Sequence, residues 1–65
     1  MAAEDEVLTR QDLTYVAGAL RQAARLAEKQ ASNPGLTSMK AVFERAAREQ
    51  DALARKFDRI AGRMR

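Results

Sequence analysis

The chain has 65 residues and a net charge of +3, and 46% of its residues are hydrophobic, 32% charged and only 5% aromatic. This length allows one domain at most, residues 1–65 as a single unit, and a domain of this size buries only about 60% of the surface that its unfolded chain exposes. The sequence contains no Cys and no His, which excludes a disulfide and removes the commonest metal ligand and the usual general base near neutral pH.

An acidic segment comes first, over about residues 1–7, and carries Glu4, Asp5 and Glu6 without a base. It lacks the basic-then-apolar order of a secretory signal, and no apolar run in the chain approaches the ~20 residues that span a membrane. We expect this segment to be flexible. Together with the absence of Cys, these features predict a cytoplasmic protein that does not bind membranes.

The first helix is predicted over about residues 9–32. Thr9 suits the N-cap, Asp12 can reach back to the Thr9 backbone as in a capping box, and Leu8 and Leu13 occupy the positions of a hydrophobic staple. Apolar or small residues then recur at intervals of four and three, which places them on one face of a helix. They are Leu13, Ala17, Leu20, Ala24, Ala27 and Ala31.

A turn is predicted at residues 33–36, because Pro34 removes a backbone donor and Gly35 permits a sharp reversal. The second helix is predicted over about 37–63, with Leu36 and Thr37 repeating the Leu-Thr pair that precedes the first helix. A heptad pattern runs through it, formed by Met39, Phe43, Ala46, Gln50, Leu53, Phe57, Ile60 and Met64. Alanines at 47, 54 and 61 flank this line.

Gln50 is the polar residue of that line. A polar residue inside an apolar seam can fix the register or the oligomeric state at some cost in stability. It can also sit at a wet edge where two helices splay apart. We favour the first interpretation.

The fold class is therefore all-α, an antiparallel two-helix hairpin, since a short connection makes the helices neighbours. Apolar residues also lie off the hairpin seam, and the expected dimer or partner face consists of Tyr15, Ala19, Gln22 and Leu26. Isolated exposed apolar residues are normal on monomers, which is the alternative interpretation. We expect two hairpins to pair through this face into a twofold-symmetric four-helix bundle, a homodimer.

A basic stripe is predicted on the side of helix 2 away from its seam, formed by Arg45, Arg48, Arg55, Arg59 and Arg63. Such a stripe can follow nucleic-acid phosphates. The opposing interpretation, which we favour, is a solvated helix with ion pairs at four-residue spacing: Glu44–Arg48, Asp51–Arg55 and Arg45–Glu49. No aromatic residue interleaves the stripe to stack on bases.

No catalytic constellation accompanies these surfaces, since the Ser and Thr residues have no His or Cys companion and no phosphate-loop motif occurs. We expect a protein that is not an enzyme and that needs no cofactor, metal or small-molecule substrate. The first functional hypothesis is a small regulatory or adaptor protein that binds another protein through a helical homodimer. The alternatives are a small nucleic-acid-binding regulator that uses the basic stripe, and a structural assembly subunit.

In size and layout the sequence resembles the Rop-like plasmid copy-control proteins, in which two-helix hairpins pair into a four-helix bundle that binds RNA. The resemblance is one of architecture; no sequence motif is shared and no functional residue is carried over. It implies a paired hairpin with RNA as its partner. Small phage or bacterial regulators, such as inhibitors and antitoxins, have a similar size and fit the same layout.

Overall fold

The computed structural model describes residues 7–64, and the predicted acidic segment lies outside this range except for Val7. Helix α1 spans Arg10–Ala31, a 3-10 helix spans Pro34–Met39, and helix α2 spans Lys40–Arg63. The two long helices pack against each other along their length. The predicted all-helical hairpin is confirmed.

The start of α1 follows from local sequence. The Asp12 amide donates to Thr9 Oγ1 at 3.1 Å, and the Thr9 amide donates to Asp12 Oδ2 at 2.9 Å. This reciprocal pair satisfies two backbone donors that the first helical turn leaves without partners. At the other end, the Ser32 amide donates to the Glu28 carbonyl at 3.2 Å. The observed bounds agree with the predicted ones to within one residue.

The connection differs from the prediction, because α2 begins at Lys40 and not near Thr37. The Thr37 hydroxyl donates to the Pro34 carbonyl at 2.7 Å, so it closes the 3-10 turn and cannot cap α2. Asn33 Oδ1 accepts from the Gly35 amide at 2.9 Å and starts that turn. Met39 precedes α2 without a side-chain capping bond.

Small residues make up almost the whole core. Ala24 and Ala27 of α1 form a cluster with Ala47 of α2, and Phe43 and Ala46 pack beside it. Alanine side chains let two helix backbones approach closely. Among the described residues, the buried ones are Leu13, Ala17, Ala24, Ala27, Ala31, Ala47, Ala54 and Ala61.

The hairpin seam of α2 is therefore rotated relative to the predicted one. Five of the eight positions of the predicted line, 43, 46, 50, 57 and 64, are partly buried, but the alanines at 47, 54 and 61 take the innermost positions. Met39, Leu53 and Ile60 are 43%, 42% and 39% exposed and do not lie in the seam. Successive residues are about 100° apart around a helix. When the alanines at 47, 54 and 61 face α1, the residues one position earlier, which include Leu53 and Ile60, therefore lie at the edge of the contact.

The rotated seam predicts that position 54 cannot accept a larger side chain. Ala54 is 0% exposed, so Ala54→Leu should lower the free energy of unfolding by about 1–3 kcal/mol through overpacking. Ala52 is exposed on the same helix, and Ala52→Leu should change it by less than about 0.5 kcal/mol. Chemical denaturation of both variants at one protein concentration checks this. Equal effects at the two positions would place the seam elsewhere.

Candidate protein-binding face

The hairpin is one layer of helices, with overall dimensions of 49 × 23 × 13 Å. A single layer has two broad sides, and each residue beside the seam belongs to one of them. In an antiparallel pair, residues that are displaced from the seam by the same direction of rotation about their own helix axis lie on the same side of the layer. The two sides of this hairpin differ sharply in chemistry.

One side, which we call the charged face, carries the ion pair that joins the helices. Arg21 Nη2 donates to Asp58 Oδ2, and both side chains are more than a third exposed to solvent. Exposed ion pairs of this kind contribute at most about 1 kcal/mol. The other residues on this side are also mostly polar: Arg10, Thr14, Arg25 and Glu28 from α1, and Lys40, Glu44, Arg48, Asp51, Arg55 and Arg59 from α2.

The opposite side, which we call the apolar face, carries most of the large hydrophobic side chains. Leu26 is 58% exposed and Val42 is 56% exposed, more than is usual for residues at the edge of a core. The apolar face comprises Val16, Ala19, Ala23 and Leu26 from α1, and Met39, Val42, Phe43, Ala46, Leu53, Phe57 and Ile60 from α2. The hairpin thus has one mostly charged side and one mostly apolar side.

A groove of about 270 Å³ runs along the apolar face in the half of the hairpin nearest the connection. It is lined by Ala23, Leu26, Ala27, Gln30, Phe43, Ala46 and Gln50. Gln50 also lines it, and the Oε1 atom of Gln50 is buried within the hairpin, where no donor among the described residues reaches it.

The residues predicted as the dimer face are divided between two places. Tyr15, Ala19 and Gln22 line a depression of about 430 Å³ over Gly18, on the outward side of α1. Leu26 lies instead in the groove of the apolar face. Tyr15 is 80% exposed, and because it is eleven residues before Leu26 it projects from α1 in nearly the same direction, about three turns further from the connection.

The predicted basic stripe is exposed along α2, but its members do not share one side. Arg48, Arg55 and Arg59 lie on the charged face, whereas Arg45 and Arg63 lie at its outer edge, rotated by roughly 60°. Arg45 Nε donates to Glu49 Oε1 at 3.2 Å, as predicted. Within residues 7–64, the predicted pairs Glu44–Arg48 and Asp51–Arg55 do not form.

The part of the chain that the structure describes contains no group of three carboxylates close enough to hold a metal ion. In the same range neither helix combines the length and apolarity needed to cross a membrane. No family model matches the chain, and no significant similarity relates it to a curated protein or to a solved structure. Its surfaces are therefore the basis on which function is inferred.

Sequence reasoning missed that Met39, Leu53 and Ile60 belong to this face and not to the hairpin seam. The signal was present in the alanines at 47, 54 and 61, which repeat at the same seven-residue interval one position further along. Two parallel apolar lines therefore run along α2, and the inner one of alanines is the line that meets α1.

Proposed function

We propose that the chain is a self-associating adaptor. Two copies pack their apolar faces together into a four-helix bundle, and the outer surface of that dimer binds another protein in a regulatory role. One observation carries the proposal: the residues buried in the single hairpin are nearly all alanines, while its large apolar side chains are exposed.

The energies favour covering the apolar face. An alanine methyl buries little area, whereas fully burying a Leu, Ile or Val side chain stabilises by about 1.5–3 kcal/mol. Leu26, Leu53 and Ile60 are each at least 39% exposed in the hairpin, so association would recover a substantial part of this. The net stability of a domain is only about 5–15 kcal/mol, which makes this contribution large.

The dimensions also suit a second copy. The apolar face is two helix diameters wide and, over the 24 residues of α2, about 36 Å long. That footprint is close to the roughly 800 Å² that each partner contributes to an ordinary stable interface. A twofold dimer uses the same patch on both copies, and such dimers are the commonest oligomers.

In this arrangement both charged faces remain on the outside of the bundle. They mix basic and acidic side chains, with Arg48 and Arg55 beside Glu44 and Asp51. Mixed charge of this kind is typical of surfaces that steer and select a protein partner. The proposed adaptor role follows from a rigid dimer that presents two identical charged faces.

The first prediction concerns Leu26, which lies on the apolar face. Leu26→Glu should place a charge in the dimer interface and dissociate it, so that helical circular dichroism falls at low micromolar concentration and recovers at high concentration. Thr14→Glu is the matched control, because Thr14 is exposed on the charged face of the same helix. It should leave sedimentation and helicity unchanged.

Sedimentation of the unmodified chain provides the decisive comparison. It should show a dimer whose unfolding midpoint rises with protein concentration, because folding is coupled to association. A stably folded monomer at every accessible concentration would contradict the proposal. So would equal dissociation by Leu26→Glu and Thr14→Glu, since the apolar face would then not be the interface.

A nucleic-acid-binding regulator is the second candidate, and one observation favours it. Arg48 and Arg55 were predicted to be neutralised by Glu44 and Asp51, but neither ion pair forms in the described range. With Arg59 they leave three exposed guanidinium groups at helical spacing on the charged face. Guanidinium groups in a row suit phosphate oxygens.

If this candidate is correct, affinity for RNA or duplex DNA should fall steeply with salt, because each neutralised phosphate releases counterions. Arg55→Ala should reduce the slope of log affinity against log salt concentration by about 1. Arg45→Ala is the control, because Arg45 is paired with Glu49 at the edge of the face. Fluorescence anisotropy that shows no binding to either nucleic acid, or binding insensitive to salt, would exclude it.

A further inference from the structure

The outward side of α1, opposite to the hairpin seam, has an unusual composition for a surface that faces water. From Leu13 to Leu20, over about two turns of α1, no side chain is charged, whereas charged residues recur in every turn of α2. A helix that is apolar on all sides is usually buried on all sides. The hairpin seam covers one side of this segment and the proposed dimer a second, so its outward side is still open to a partner.

A depression of about 430 Å³ lies on this outward side. Gly18 is at its centre, because Gly18 lies three residues after Tyr15 and four before Gln22 on the same side of the helix. Tyr15 is 80% exposed, and Gln22 is exposed as well. We call Tyr15, Gly18, Ala19 and Gln22 the outer α1 surface; Thr14 borders it on the side of the charged face.

Gly18 is a glycine that the hairpin itself does not need. It is exposed in the middle of α1, and a Cβ atom added to it would meet no described atom within 4 Å apart from the helix backbone around it. Glycine inside a helix is less favourable than alanine, because it loses more conformational freedom on folding. Its missing side chain is useful where the backbone of another segment approaches closely. The residue is therefore suited to close contact with a helix outside the hairpin.

The outer α1 surface and the apolar face lie on different sides of α1. Gly18 is one residue after the seam residue Ala17, and Val16 of the apolar face is one residue before it. Successive residues are about 100° apart around a helix, so Gly18 and Val16 project about 160° apart. A helix packed over Gly18 therefore leaves the apolar face free for another contact.

A second copy of α1 fits this surface. A twofold axis brings identical surfaces together, so like charges near the axis would repel each other, but the outer α1 surface carries no charge. When the axis is perpendicular to α1 and passes beside Gly18, the two helices cross antiparallel with Gly18 at the crossing. Tyr15 then lies over Gln22 of the second copy, since these residues are on opposite sides of Gly18 along the helix. The Tyr hydroxyl and the Gln amide can each donate and accept hydrogen bonds.

We propose that the outer α1 surface is a second self-association site, in which the α1 helices of two copies cross in close contact at Gly18. This contact is separate from the apolar face and does not depend on the proposed dimer. One helix crossing buries less than the roughly 800 Å² that each partner contributes to an ordinary stable interface. It is therefore the weaker of the two contacts, and it joins dimers only at protein concentrations above those that form them.

Sedimentation equilibrium at increasing protein concentration counts the association steps. Gly18→Leu is the test variant, because a leucine side chain separates the two helices at their crossing while it favours the helical conformation. Gly62→Leu is the matched control, since Gly62 is also exposed within a helix and also has open space where a Cβ atom would lie. The unmodified chain and Gly62→Leu should show one association step more than Gly18→Leu. Helical circular dichroism should be at least as strong in both variants as in the unmodified chain.

Tyr15 gives a second measurement that needs no substitution. It is the single tyrosine of a chain without tryptophan, so tyrosine fluorescence reports on the outer α1 surface alone. Acrylamide quenching of Tyr15 should fall as the second association step proceeds, because the second copy covers this side chain. Gly62→Leu should show the same decrease, and Gly18→Leu should show none over that range of concentration.

Equal numbers of association steps in Gly18→Leu and Gly62→Leu would overturn the proposal, as would quenching of Tyr15 that stays constant at concentrations above those that form the dimer. The same data separate this site from the proposed function. A single step that persists in Gly18→Leu would leave only the pairing of the apolar faces. A single step that Gly18→Leu removes would leave only the outer α1 surface and would contradict that pairing.

Discussion

The close approach of two alanine-lined helices is the constraint on which the rest of the structure depends. Ala17 and Ala54 are both 0% exposed, and no large side chain is fully buried in the described range. When the innermost positions are small, the larger side chains beside them cannot enter the contact and must lie at its edge. The hairpin therefore gains a precise seam but only a thin core.

The contact between the helices has an edge on each side of the hairpin, and the residues at the two edges differ in chemistry. Charged residues collect on the side of the Arg21–Asp58 ion pair, and apolar residues collect on the side of the groove. Because the helices are antiparallel, the flanks of α1 and α2 that share a chemistry also share a side. A hairpin held only by its alanines would be marginal, since helical stability comes mostly from packing an apolar face. The apolar face is thus the place where further stabilisation is available.

Features that depend on residues close together in the sequence were predictable. Features that depend on which of several possible contacts forms in the folded chain were not. The capping box of Thr9 and Asp12 needs only residues three apart, and it formed as predicted. The start of α2 was misplaced because the Thr37 hydroxyl bonds to Pro34, a competing turn that the sequence pattern does not rank. The seam was misplaced for a related reason. Periodicity identifies apolar lines, but it cannot decide which of two adjacent lines meets the other helix of the same chain.

Those two adjacent lines share one set of positions, which explains the place of Gln50. The inner line combines 43, 50 and 57 with 47 and 54, whereas the outer line combines the same three positions with 46 and 53. Gln50 therefore borders both the hairpin seam and the apolar face. Leucine there would add apolar area to either line. A glutamine amide needs hydrogen-bond partners wherever it is buried, so the polar residue at the meeting point of the two lines lowers what burial of that position can contribute to stability.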